Sequence, residues 1–128
     1  RLEQVLAAPQ AQQAGTEAAL MLDTRGRLNC VSSGNLFLLR GRKLLTPTLE
    51  QGGIAGTRRG MILARWAQQV GLEPVVAELA PADIHDCDEL MFSNSLVGVR
   101  PVARVEDCRW DAHPVTEELF RAHLEELP

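Results

Sequence analysis

Gly52-Gly53-Ile54-Ala55-Gly56-Thr57-Arg58-Arg59 is the stretch on which the reading of this chain turns. A glycine-rich loop runs directly into a segment, Thr57 to Val70, whose apolar residues Ile62, Trp66 and Val70 recur at i, i+4 and i+8. That is the helical period. Gly71 stands where a left-handed residue commonly closes a helix. The first N–H groups of such a helix lack intrahelical acceptors, and the dipole there is positive. The helix start therefore either binds a phosphate or is a plain glycine-rich connection capped by water. Its spacing matches neither G-x-G-x-x-G nor the P-loop, which argues against a dinucleotide or a nucleoside triphosphate.

Upstream, Ala18 to Leu22 and Arg27 to Val31 read as a hairpin around the turn residues Asp23-Thr24-Arg25-Gly26. Asn35 to Arg40 reads as a buried strand, Gly41-Arg42 as a tight turn, and Lys43 to Leu45 as the strand that pairs back. Thr46-Pro47 is expected to break that ladder, because proline has no N–H to donate. Arg1 to Ala8 has helical composition, with Leu2, Val5 and Leu6 on one side, and Pro9 to Gly15 ends it as a short linker-like run. Downstream, Glu73 to Leu79, Leu90 to Ser93 and Val99 to Val105 read as strands, with a short helical turn from Pro81 to Ile84. Pro114 to Leu127 reads as an amphipathic helix presenting Val115, Leu119, Phe120, His123 and Leu124 on one face. Strands before and after one central helix give an α/β or α+β fold with a mixed sheet.

The 128 residues suit a single domain spanning 1–128. Hydrophobic content of 45% supports a packed core and excludes disorder throughout. A net charge of −4 and an aromatic content of 4% argue against a nucleic-acid surface. No run approaches the roughly 18 apolar residues of a membrane helix. Cys30, Cys87 and Cys108 are odd in number and lack C-x-x-C spacing, so a reducing, cytoplasmic setting is expected, with neither a disulfide scaffold nor a zinc site. Lys43 is the only lysine among 13 basic residues. The chain begins at Arg1, without Met, and reads as a piece of a longer protein.

Two further segments carry candidate chemistry. Ser93-Asn94-Ser95-Leu96-Val97-Gly98 places small hydroxyls at a strand end, where they either hold an anion or form an ordinary turn. Cys30, in Asn29 to Phe37, is either a reactive thiol or a small buried hydrophobe, and the second reading is favoured. Asn35 is expected to make local turn hydrogen bonds. His85, His113 and His123 have no ligand spacing, and no metal is expected. Asp83, Asp86, Asp88 and Glu89 read as solvated residues or helix caps.

Taken in order, Leu22-Asp23…Gly26, Asn35-Leu36-Phe37, Leu45-Thr46-Pro47, Gly53-Ile54-Ala55-Gly56-Thr57-Arg58, Asp88-Glu89-Leu90 and Asn94-Ser95…Pro101-Val102 resemble the C-terminal domain of the fold-type IV pyridoxal-phosphate enzymes. These include branched-chain and D-amino-acid aminotransferases and 4-amino-4-deoxychorismate lyases. The resemblance covers Arg1 to about Val105. Arg1 to Leu6 is similar to the segment following the cofactor lysine in the lyase branch. It implies a mixed sheet or pseudo-barrel with flanking helices, and pyridoxal 5'-phosphate as cofactor. It implies a small-molecule substrate, a homodimer, and an N-terminal domain of the same chain that is absent here. The lyase branch converts 4-amino-4-deoxychorismate to 4-aminobenzoate and pyruvate for folate biosynthesis. Residue by residue, Thr57 and Arg58 would give backbone N–H groups to the cofactor phosphate and Ser95 its hydroxyl. Leu96 and Val97 would lie where backbone amides meet the substrate carboxylate.

Two departures accompany the resemblance. The lysine that carries the cofactor would fall before Arg1, and Lys43 lies outside the matching motif, so the chain alone is expected to be inactive. Cys30 stands where the family usually has the glutamate that pairs with the pyridine nitrogen. A thiol with an ordinary pKa of about 8.5 is a poor counter-ion at neutral pH. The alternatives are an aminotransferase of the same fold or a non-catalytic descendant serving as a binding module.

Overall fold

The computed structural model describes residues 2–7, 17–22, 25–31, 34–49, 56–95, 98–105 and 108–125, with side chains from residue 22 onward except at Thr57. The strands are β1 (Leu2–Ala7), β2 (Glu17–Leu22), β3 (Leu28–Val31), β4 (Asn35–Arg40), β5 (Lys43–Pro47), β6 (Glu73–Ala77), β7 (Glu89–Asn94), β8 (Gly98–Val105) and β9 (Cys108–Arg109). Helix α1 begins as Thr57–Met61, widens to a π-helical turn over Ile62–Trp66 and finishes at Ala67–Gln69. A 3₁₀ helix spans Pro81–Asp86, and helix α2 spans Pro114–Glu125. Among the described residues, no helix is long and apolar enough to cross a membrane.

The strand order is β3-β2-β1-β8-β7-β4-β5-β6, with β9 beside β8. The β5–β6 pair is parallel and the other pairs are antiparallel, so the sheet is mixed, in an α+β fold. Its two ends come together. Leu28 N–H donates to Leu79 O at 2.7 Å, and Arg27 pairs with Glu78, joining β3 to the chain leaving β6. The curl is the expected pseudo-barrel.

Strand β4 explains the layering. Alternate residues of a strand face opposite sides. In Leu36-Phe37-Leu38-Leu39 all four are buried, as in a strand covered on both faces. Leu36 and Leu38 join Leu28, Val31, Leu90 and Phe92 inside the curl. Phe37 and Leu39 join Met91, Ile62, Trp66 and Leu119 beneath the two helices. By the same alternation Asn35 on β4 and Ser93 on β7 belong to the helix-covered side, where they stand opposite each other in register.

Three sequence expectations are corrected. Arg1 to Ala8 is not helical: Leu2–Ala7 is a strand held on both sides, Leu2 to Leu6 against β2 and Val5 to Ala7 against β8. Long-range pairing outweighs weak local propensity there. Pro47 does not end β5. The ladder to β4 stops at Leu45, but the parallel pairing to β6 continues through Thr46 and Pro47 to Val76 and Ala77. The Thr46 hydroxyl takes over the inner side by donating to Leu36 O at 2.7 Å. On α2, Leu124 is exposed; Thr116, Leu119, Ala122 and His123 form the buried face. The expected hairpins, the Gly41-Arg42 turn, and the closing of α1 at Gly71 (φ +80°) are present. The Pro9–Gly15 linker, Asp23-Thr24 and the Gln51–Ala55 loop lie outside the described residues.

Candidate functional site

The start of α1 sits over the meeting of β4 and β7. Gly56, extended at φ −70° and ψ 156°, precedes the helix, and no side chain caps it among the described residues. Gly56 N–H donates to Asn35 Oδ1 at 3.1 Å, while Gly60 N–H closes the first turn on Gly56 O at 3.1 Å. Thr57, Arg58 and Arg59 lie ahead of that first bond, so their N–H groups carry no i−4 partner. Arg59 anchors the far side by donating to Pro47 O at 3.4 Å. Thus Asn35 does not only serve its own turn, as expected from sequence; it fixes the helix start to the sheet. Its signal in sequence is weak: an amide opening an otherwise apolar strand.

The register puts Ser93 directly opposite Asn35. Ser93 is fully buried, and its hydroxyl has no partner among the described residues. Buried polar atoms are nearly always satisfied, so such an orphan marks a place for a polar ligand or water. The Nε atoms of Arg58 and Arg59 are likewise buried without partners. Ser95 is exposed in the turn just beyond β7, two residues from Ser93. Uncapped amides, an orphaned hydroxyl and two guanidinium groups suit a dianionic phosphate ester.

The other candidates are placed less uniformly. Cys30 lies half-buried on β3, one residue before the tight Val31–Gly34 bridge that leads into β4. Burial pushes its thiol above the ordinary range, so it is neutral at neutral pH. Leu96 and Val97 lie outside the described residues. Lys43 is exposed and pairs with Arg40, at the opposite end of β4 from Asn35. That is roughly 17 Å away at a strand rise of about 3.3 Å per residue.

One wall of the site was not anticipated. His123 on α2 is buried, packs edge-on to Trp66 with ring centroids 5.4 Å apart, and lies so close to Gly98 that a Cβ there would meet its Nε2 at 2.6 Å. Phe120, one turn earlier, stacks under the Arg100 guanidinium at 4.9 Å. Burial first, and the Arg58 charge second, hold the His123 imidazole below the ordinary histidine range. Its folded pKa is thus lower than its unfolded one. The stability tied to this neutral imidazole is present above the unfolded value of about 6.5 and is lost as pH falls through the folded value. Urea midpoints are expected to drop on acidification from pH 7, and His123→Gln is expected to flatten that drop.

Residues 1–105 match the family described as amino-transferase class IV. The chain is 36% identical over 107 residues to the aminodeoxychorismate lyase of Vibrio harveyi, covering 82% of this chain and 38% of that protein. The structure of 4-amino-4-deoxychorismate lyase from Pseudomonas aeruginosa superposes with a TM-score of 0.78 at 29% identity, over 84% of this chain and 40% of that one. An aminotransferase from Brucella abortus, bound to the co-factor PLP, shares the fold with a TM-score of 0.80 at 22% identity, over 91% and 41%. The chain therefore spans about 40% of the length of these relatives. Its match across residues 1–105, together with the mixed, curled sheet that carries the helix-start site, shows that the chain belongs to the amino-transferase class IV family.

Proposed function

We propose that residues 1–128 are one domain that holds the phosphate of pyridoxal 5'-phosphate in an aminodeoxychorismate lyase, whose other functional groups lie elsewhere in a longer chain. The observation that carries this reading is the fully buried Ser93 hydroxyl opposite Asn35, below the start of α1, with neither a partner for the hydroxyl nor a side-chain cap for the helix among the described residues. The backbone N–H groups of Thr57 and Arg58 bind the phosphate oxygens, and Ser95 adds its hydroxyl. Leu96 and Val97 would offer backbone amides to a substrate carboxylate. Cys30 would face the pyridine nitrogen. When bound, the cofactor supplies an electron sink for bond breaking at the amine-bearing carbon. A homodimer in the cytoplasm, making 4-aminobenzoate for folate biosynthesis, completes the reading.

The likeness to lyases and the chemistry of Cys30 both favour the lyase over the aminotransferase. A neutral thiol gives the pyridine nitrogen no counter-charge, which weakens the sink. Loss of the enolpyruvyl group leaves an aromatic ring, a driving force that amino transfer lacks. The lyase thus tolerates Cys30 better. In the full-length protein, pyruvate release from 4-amino-4-deoxychorismate is expected to exceed keto-acid-dependent amino transfer. Cys30→Glu is expected to raise the second activity more than the first. Transfer that equals pyruvate release in the unaltered protein, or no differential response to Cys30→Glu, would contradict the lyase. Cys30 also motivates a second reading, a non-catalytic binding module. A full-length protein that develops no visible absorbance with added pyridoxal phosphate would favour it.

A further inference from the structure

Away from the helix-start site, the 3₁₀ helix and β9 bring together a second set of reactive side chains. Cys108 on β9 pairs with Val105 at the end of β8, and its Sγ lies 2.9 Å from Nδ1 of His85, 23 residues away in sequence. His85 lies in the last turn of the 3₁₀ helix and is exposed, while Cys108 is half-buried. Trp110 holds the two segments together. Its backbone N–H donates to Ala103 O at 2.9 Å and its indole N–H to Cys87 O at 3.1 Å. The segments that carry the thiol and the imidazole are therefore tied together by the buried Trp110.

The other cysteines lack this arrangement. The Cys87 thiol is buried and donates to Ile84 O at 3.2 Å. Desolvation pushes its pKa up to about 12, so it stays protonated. Cys30 has no imidazole beside it among the described residues, and burial keeps it neutral.

We propose that Cys108 and His85 form a thiol–imidazole pair that makes Cys108 the chain's site of covalent modification by low-molecular-weight disulfides. Nδ1 takes the Sγ proton, and the thiolate attacks one sulfur of the disulfide. A new S–S bond forms as the old one breaks, and the imidazolium proton passes to the departing thiolate or, where that is an acidic aromatic thiolate, to solvent. Cys108 is oxidised, and the departing half leaves as a reduced thiol. Because Cys87 remains protonated, it does not displace the adduct, and the product is a single mixed disulfide.

The test treats the full-length protein with an aromatic disulfide that releases a coloured thiolate, and with oxidised glutathione, and maps the adducts by peptide mass. One fast equivalent at Cys108 is expected with both reagents. Cys108→Ser is expected to abolish the fast phase, and His85→Ala to slow it about tenfold or more. Free imidazole is expected to restore the rate in His85→Ala, which a merely structural role for His85 would not allow. First reaction at Cys30 or Cys87, an unchanged rate in His85→Ala, or failure of imidazole to rescue it would overturn the proposal.

Discussion

Gly34→Ala is expected to destabilise the protein by about 3 kcal/mol or more, and to loosen the proposed phosphate site in the same step. Gly34 closes the tight turn from β3 into β4, exchanging both backbone hydrogen bonds with Val31, at 3.0 and 3.1 Å. A Cβ at this position would fall on the backbone carbonyl of Ser93, with the Asn94 Cβ at 3.3 Å behind it. Backbone cannot rotate away as a side chain can, so β4 and β7 must part where Asn35 and Ser93 stand opposite each other. The thermal midpoint is expected to fall by roughly 10 °C. Affinity for pyridoxal phosphate is expected to fall with it, since Asn35 would no longer hold Gly56. A midpoint and affinity equal to those of the unaltered protein would mean that the two strands do not meet here.

Glu89→Ala carries the other large effect. Helix α2 starts at Pro114, which has no N–H, so the first exposed donors are those of Val115 and Thr116. Glu89, buried at the head of β7, takes both. Its Oε2 accepts Val115 N–H at 3.0 Å, and its Oε1 accepts Thr116 N–H at 2.9 Å and the Thr116 hydroxyl at 2.8 Å. The carboxylate also lies at the positive end of the helix dipole. Removing it strands two backbone donors and leaves the Thr116 hydroxyl only the Met91 sulfur, 3.7 Å away, at a cost of about 3 kcal/mol. Glu89→Gln keeps one acceptor and is expected to lose about half as much. Urea unfolding gives the magnitudes. Amide exchange along 115–125 is expected to accelerate first, because α2 is the element released. An unaltered exchange pattern would show that α2 is held by its apolar face alone.

Much of this architecture is legible from local signals. Asn35 to Arg40 with the Gly41-Arg42 turn can be read because an apolar run bounded by turn residues has few alternatives. Ile62, Trp66 and Gly71 mark α1 through its period and its closing glycine. The misreadings share one cause, pairing that no local pattern reveals. The composition of Leu2–Ala7 points to a helix, yet β2 and β8 make it a strand. The missing N–H of Pro47 points to a strand end, yet β6 lies on its other side. For the proposed phosphate site, a glycine-rich loop, a helix start and a strand end nominate Thr57, Arg58 and Ser95. Asn35 and Ser93 need the β4–β7 register, and His123 needs the docking of α2. Glu89 does leave a trace, as a carboxylate heading an apolar strand, where a charge is rarely buried unless it is paired.

Backbone amides at the start of α1 are proposed to bind a phosphate, and Thr57→Pro tests this most directly. Proline at a first helical position is tolerated, and Gly56 already has the extended conformation that a residue before proline requires. The substitution therefore removes one N–H while leaving the helix in place, and Thr57→Ala serves as the control that keeps it. Titration of pyridoxal phosphate into the full-length protein, followed by visible absorbance, is expected to show affinity about tenfold weaker or worse for Thr57→Pro than for Thr57→Ala. Equal affinities for the two variants would contradict the account.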